Sequence, residues 1–211
     1  IPAEDEVKQV LERVGLNKVV MDETSGIVRF LHPGMRIDLG GIGKGIALDR
    51  MAVLLKERGV RAAKLVGGTS SILVFGTPPN QKNWKVDIFS PYNKSVGETL
   101  ATVYLQDESL STSTASERYV EARNRTYGHI FDPRTGFPAE TDLVCVTVIA
   151  PDAAESDALS TAFFVMGSDG VRRFCGAHPE TRCVLVSDRN RTGKPVVEYV
   201  NITPEKDTEH E

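Results

Sequence analysis

The stretch Ile37–Arg50, IDLGGIGKGIALDR, sets four glycines and one lysine between a short apolar run and a helical pattern. Glycines at 40, 41, 43 and 45 leave the main chain uncovered, so a large anionic group can approach it. The segment that follows points its N-terminal N–H groups and dipole at the same spot, and Lys44 adds a mobile positive charge. This chemistry suits a diphosphate. The same pattern also serves a plain strand-to-helix connection that needs tight turns.

Two named phosphate motifs are excluded. A P-loop needs a glycine five residues before the Gly-Lys pair and a Ser or Thr after the lysine, where this chain has Asp38 and Gly45. The dinucleotide fingerprint needs Gly-x-Gly-x-x-Gly, whereas Gly41, Gly43 and Gly45 alternate.

Outward from this junction, periodicity reads as alternating strands and helices. Apolar positions at 7, 10, 11 and 14 predict a helix over 4–14, ended by Gly15. Two strands are expected within 18–31 around a turn at 23–26, a further strand over 35–39, and a helix over 46–58 stopped by Gly59. Strands follow at 63–66, 71–75, 84–89 and 100–105. Residues 118–123 and 127–131 are expected to pair across 124–126, and 143–149 is a strongly β-branched strand. Helices are predicted over 153–166 and 170–177, then strands over 182–187 and 196–200. Residues 1–202 read as one domain and 203–211, TPEKDTEHE, as a polar tail.

At 211 residues and 40% hydrophobic content, the chain can bury a substantial core. Its 25 basic and 29 acidic residues give a net charge of −4 with no basic run, which argues against nucleic acid as a partner. No apolar stretch has the length of a membrane span, and the first residues lack the basic and apolar regions of a signal peptide, so the chain as given is expected to be soluble. It begins without methionine, consistent with a processed or truncated product. Cys145, Cys175 and Cys183 lack CxxC spacing and lie in apolar surroundings, which reads as buried thiols.

Two further constellations carry chemistry. In GHIFDPRTGFP, residues 128–138, His129 can take a proton from a hydroxyl near pH 7, although Asp132-Pro133-Arg134-Thr135-Gly136 is also an ordinary turn recipe. In ESDALSTAFFVMG, residues 155–167, Asp157 and Thr161 are four apart and share a helix face. A carboxylate and a hydroxyl are hard oxygen ligands of the kind Mg²⁺ accepts beside phosphate and water. Equally, Asp157 suits a helix N-terminus and Thr161 can simply pack. The Gly67-Gly68 pair and the hydroxyl-rich STSTASER, 111–118, before a strand could approach a ligand or merely turn. His32, His178 and His210 read as turn or solvent positions.

In this order, IDLGGIGKG, the Gly67-Gly68 pair, STS before ER, HIFDPRTG and SDALSTAFFVMG resemble the signature series of the ApbE family of FAD:protein FMN transferases. The resemblance runs from the first residues to about Val186. It implies an α+β fold of mixed, mainly antiparallel sheets with packed helices, T-fold-like, with an FAD cleft between lobes. It implies Mg²⁺-dependent cleavage of FAD and transfer of FMN to a Thr or Ser hydroxyl of a target protein, releasing AMP. Asp38 and Lys44 are implied as FAD contacts, with Phe131 lying against the cofactor. Gly41, through its carbonyl, together with Asp157, Thr161 and neighbouring Ser160 are implied as metal ligands, and His129 as the base.

Acceptors would be subunits of membrane redox complexes carrying a Thr/Ser motif, at an extracytoplasmic site. Alternative readings are an FAD pyrophosphatase, a non-catalytic FAD-binding protein, or a structural remnant. Thr69 stands where the family usually has an aspartate, and Thr114 where glycine is common. Family members also carry a further N-terminal region that supplies part of the flavin pocket, and the chain is expected to lack it.

Overall fold

The computed structural model describes residues 2–90, 92, 98–114, 119–122, 125–188 and 194–202. Helix α1 covers Glu4–Leu11, followed by a 3₁₀ turn at Leu16–Lys18 and the hairpin of β1 (Val19–Asp22) and β2 (Ile27–Phe30). Helix α2 is Gly43–Glu57. Strands β3 (Ala63–Gly67), β4 (Ser71–Phe75), β5 (Trp84–Phe89), β6 (Thr99–Leu105) and β7 (Ser109–Thr114) come next. Then follow β8 (Tyr119–Ala122), β9 (Arg125–Gly128), β10 (Leu143–Ala150), α3 (Ala153–Ala177), β11 (Arg182–Ser187) and β12 (Val196–Val200).

A six-stranded sheet of order β12-β11-β10-β7-β4-β3 is the centre of the fold. Every described strand pairing is antiparallel, as in an α+β protein with helices laid on a meandering sheet. Strand alternation sends successive side chains to opposite faces. From β10 and β11, Val146, Val148, Cys183 and Leu185 turn to α3 and meet Phe163, Phe164 and Val171. From β4, Leu73 and Phe75 pack with Leu48 and Ala52 of α2. The opposite face presents Val74, Leu110, Ile149 and Val184 to the β5–β6 hairpin, which covers them with Val86, Ile88, Val103 and Leu105. Helices therefore cover one face and a two-stranded ribbon the other.

Several expectations shift at their edges for physical reasons. Residues 35–39 form no strand: Ile37 and Leu39 are exposed, and the Leu39 carbonyl accepts the N–H groups of Ile42 and Gly43. A turn thus replaces the ladder, and α2 begins at Gly43 instead of 46, placing Gly43 and Gly45 inside the helix. Helix α1 ends at Leu11, short of 14.

The first half of the hydroxyl-rich run, expected to precede a strand, lies itself in β7, a central strand paired with β10 and β4, and residues 115–118 lie outside the described residues. The expected helices over 153–166 and 170–177 meet at Gly167, whose φ of 72° only glycine adopts without strain. Asp142 restarts the helix there by accepting the Ser168 N–H at 3.0 Å and its hydroxyl at 2.6 Å. Strand β9 runs Arg125–Gly128, so Arg125 and Thr126 lie in it and not in the turn. Arg118, Arg123, Asn124 and the tail 203–211 lie outside the described residues.

All three cysteines are free and buried, with the Cys175 and Cys183 sulfurs 3.8 Å apart. Among the described residues, no helix is long and apolar enough to cross a membrane.

Candidate active site

The N-termini of α2 and α3 cross in close contact. A Cβ built on Gly45 would lie 2.1 Å from the carbonyl oxygen of Ala153, so only glycine admits this crossing. Each helix carries a carboxylate for the other. Asp49 of α2 accepts the N–H groups of Ala153 and Ala154 at 2.8 and 2.9 Å, satisfying donors at the start of α3. Asp157 of α3 accepts the Gly45 N–H at 3.0 Å, in the first turn of α2.

Asp157 is 4% exposed. Its Oδ2 is held by Gly45, while Oδ1 meets the Ser71 hydroxyl at 3.4 Å and the Lys44 ammonium at 3.3 Å. Lys44 reaches it from the second residue of α2 with a partly exposed side chain.

One turn further along α3, three hydroxyls converge. Ser160 Oγ donates to the Asp157 carbonyl at 2.9 Å and lies 3.0 Å from Ser113 Oγ, which is 3.3 Å from Thr161 Oγ1. Gly41 completes the group, since a Cβ there would sit 3.4 Å from Thr161 Oγ1. Gly41, Lys44, Asp157, Ser160 and Thr161, all singled out from sequence, are therefore brought together.

Beneath them, alternate residues of β7 form a hydroxyl layer against α3. Ser109 and Ser111 lie 2.9 and 3.0 Å from Ser156 Oγ, and Ser109 and Ser156 donate to the carbonyls of Ala150 and Ala153. Each buried hydroxyl is thereby satisfied, and among the described residues no buried side-chain polar atom lacks a partner.

The remaining predicted residues stand on other segments. Asp38 is exposed and accepts the Gly40 N–H at 2.7 Å, bending the glycine turn. His129 is exposed just after β9, and Phe131 is 58% exposed and bridged to Pro138. The turn after it is built as a turn: Asp132 holds the Arg134 N–H and guanidinium, and this hydrogen-bonded arginine keeps the Asp132 carboxyl below the usual range. Its Gly136, at φ 74°, tucks under Val7 of α1. Phe131, Pro133 and Gly136 face Val7, Val10 and Leu11 across a cavity of about 560 Å³.

Sequence reading missed Asp49 and Ser71, and singled out Ser113 only as part of the run 111–118. The signal for Asp49 lies in its spacing, four residues after Gly45 on one helix face. Ser113 follows Ser109 and Ser111 at the period of a strand.

The donor set around Asp157 is all oxygen, one carboxylate with the Ser160 and Thr161 hydroxyls, and Gly41 lies beside Thr161. Among the described residues no group of three His, Cys, Asp or Glu side chains could hold a metal alone. The set fits a hard divalent cation such as Mg²⁺, which uses one or two carboxylates and takes its other ligands from water and substrate phosphate.

Comparison with known proteins bears on this arrangement directly, because the ApbE family model matches residues 1–185, a span that includes every residue of the cluster. The chain belongs to the ApbE family. It is similar to the FAD:protein FMN transferase of Treponema pallidum (strain Nichols), with 31% identity over 218 residues, covering 96% of this chain and 59% of that protein. The FAD:protein FMN transferase of Escherichia coli (strain K12) is 32% identical over 173 residues, 80% of this chain and 48% of that protein. Among solved structures, the ApbE protein from Thermotoga maritima superposes with a TM-score of 0.81 at 29% identity, over 94% of this chain and 62% of that one. The apo flavinyl transferase ApbE of Pseudomonas stutzeri gives 0.79 at 24% identity, a likeness of fold. This ApbE-family chain thus spans about half to three-fifths of the length of the curated relatives it matches.

Proposed function

We propose that this chain acts in Mg²⁺-dependent transfer of FMN from FAD to a Thr or Ser hydroxyl of a target protein, with release of AMP. The observation that carries the reading is the contact of Asp157 with Gly45 and Lys44, which sets a buried carboxylate against the glycine-lysine helix start. The names of the similar proteins from Treponema pallidum and Escherichia coli support the same activity.

In this reading Lys44, at the start of α2, receives the diphosphate of FAD, with Asp38 and Phe131 as further contacts to the nucleotide and the flavin. Asp157, Ser160, Thr161 and the Gly41 carbonyl hold Mg²⁺. When bound, the cation neutralises charge on the phosphate oxygens and on the departing AMP. The acceptor oxygen forms a bond to the phosphorus of the FMN half while the P–O bond to AMP breaks. AMP leaves with the bonding electron pair, and the hydroxyl proton passes to His129.

The resemblance also supports acceptors among subunits of membrane redox complexes and an extracytoplasmic setting. The test is incubation with FAD and Mg²⁺, with and without an acceptor bearing a Thr/Ser flavinylation motif, following AMP and acceptor mass. An acceptor that gains the mass of FMN is the expected result. AMP with free FMN would make the protein an FAD pyrophosphatase, and flavin binding without AMP a non-catalytic FAD-binding protein.

A further inference from the structure

Asp157 carries a negative charge into a buried position, and the partners of its two oxygens differ. Oδ2 is anchored by a main-chain N–H at 3.0 Å, whereas Oδ1 has two long contacts, the Ser71 hydroxyl at 3.4 Å and the Lys44 ammonium at 3.3 Å. Oδ1 is the oxygen that can be handed to another partner without loosening the carboxylate from α2.

Lys44 is suited to leave. Its side chain is 41% exposed, against 5% for Asp157. A lysine in the first turn of a helix also faces the positive end of the helix dipole, so it is held there only by an anion.

We propose that Lys44 is an internal counter-cation at this site: its ammonium occupies Asp157 until a divalent cation arrives, and must yield Oδ1 for that cation to bind. This rests on the reading of Asp157 as a metal ligand. Displaced, the ammonium stays at the N-terminus of α2, where an anionic diphosphate is the natural next partner. One ion pair is exchanged for two, which couples entry of the cation to entry of the substrate anion.

The test is Mn²⁺ binding to the flavin-free protein, read by electron paramagnetic resonance as free Mn²⁺ at low ionic strength. Lys44→Gln is expected to bind Mn²⁺ about two- to fivefold more tightly than the wild type, the range of a partly exposed ion pair. Added NaCl should narrow the gap by screening the pair. Lys44→Met should behave alike, while Lys64→Gln, whose ammonium approaches the Lys85 carbonyl, should match the wild type.

Equal or weaker Mn²⁺ binding by both Lys44 variants would overturn the proposal while leaving the metal site intact, provided Asp157→Asn lowers affinity. No Mn²⁺ binding by wild type or Lys44→Gln, or binding indifferent to Asp157→Asn, would overturn the ligand reading and the proposal with it.

Discussion

Asp157 accepts the Gly45 main-chain N–H at 3.0 Å across 112 residues of sequence. That bond, with its reciprocal from Asp49 to the start of α3, ties together the two helix N-termini on which the site is built. Each helix start is disposed to receive an anion, and here each receives a carboxylate from the other.

The crossing makes two neighbouring glycines respond in opposite ways to the same substitution. Gly45→Ala drives a methyl group into the Ala153 carbonyl, which is main chain and cannot move aside. It should lower stability by about 1–3 kcal/mol or more and reduce Mn²⁺ affinity. Gly43→Ala meets only Leu39 Cβ at 3.8 Å and should be neutral or gain up to about 1 kcal/mol. Urea titrations of both variants check this, and equal losses would show that the crossing is not the constraint.

Asp49→Ala leaves two N–H groups at the start of α3 without their acceptor, and Asp152 at the N-cap makes no side-chain cap bond to replace it. A loss of about 1–2 kcal/mol is expected, with part recovered in Asp49→Asn, which keeps one acceptor oxygen. Thermal unfolding of the pair is the measurement.

His129→Ala should slow transfer to a protein hydroxyl by about 10²- to 10⁴-fold, the range for a lost general base, and leave FAD affinity unchanged. Flavin fluorescence gives the affinity and acceptor mass gives the rate. A parallel loss in both would make His129 a binding residue.

The thiols set the alkaline limit. Burial pushes Cys145 from the ordinary 9.0 up to about 12, and raises Cys183 and Cys175 as well. Between pH 9 and 12 the unfolded chain releases thiol protons that the native protein keeps, so stability is fully present below pH 9 and falls as pH rises through that window. The loss is at most about 1.4 kcal/mol per pH unit for each thiol. Native protein at pH 8 should leave all three thiols unreactive to a thiol-disulfide reagent, and urea should expose three. Fast labelling of the folded protein would contradict the burial.

Much of this was legible in the chain. The β-branched run in β10 and the apolar spacing in α2 and the first half of α3 pointed to their elements, because periodicity records which face is buried. Asp157 and Thr161 were readable as a pair because a helix brings residues four apart onto one face, whereas Ser160 entered only through the family resemblance. Strand β7 was obscured because its inward positions are Ser109, Ser111 and Ser113, which satisfy their hydroxyls on α3 in place of packing apolar side chains. Residues 35–39 looked like a strand because an apolar run does not say whether a neighbouring strand is there to accept its hydrogen bonds.

By itself, the sequence determined local features: a lysine among glycines ahead of a helix, a carboxylate and a hydroxyl on one helix face, and thiols bound for the core. Each of these depends on residues within about two helical turns. Only the tertiary structure decided that Asp157 meets Gly45 and Lys44, that Asp49 caps α3, and that Ser113 joins Ser160 and Thr161. Those contacts span dozens of residues or more, and no local pattern encodes a distance between segments that only sheet register and helix crossing bring together.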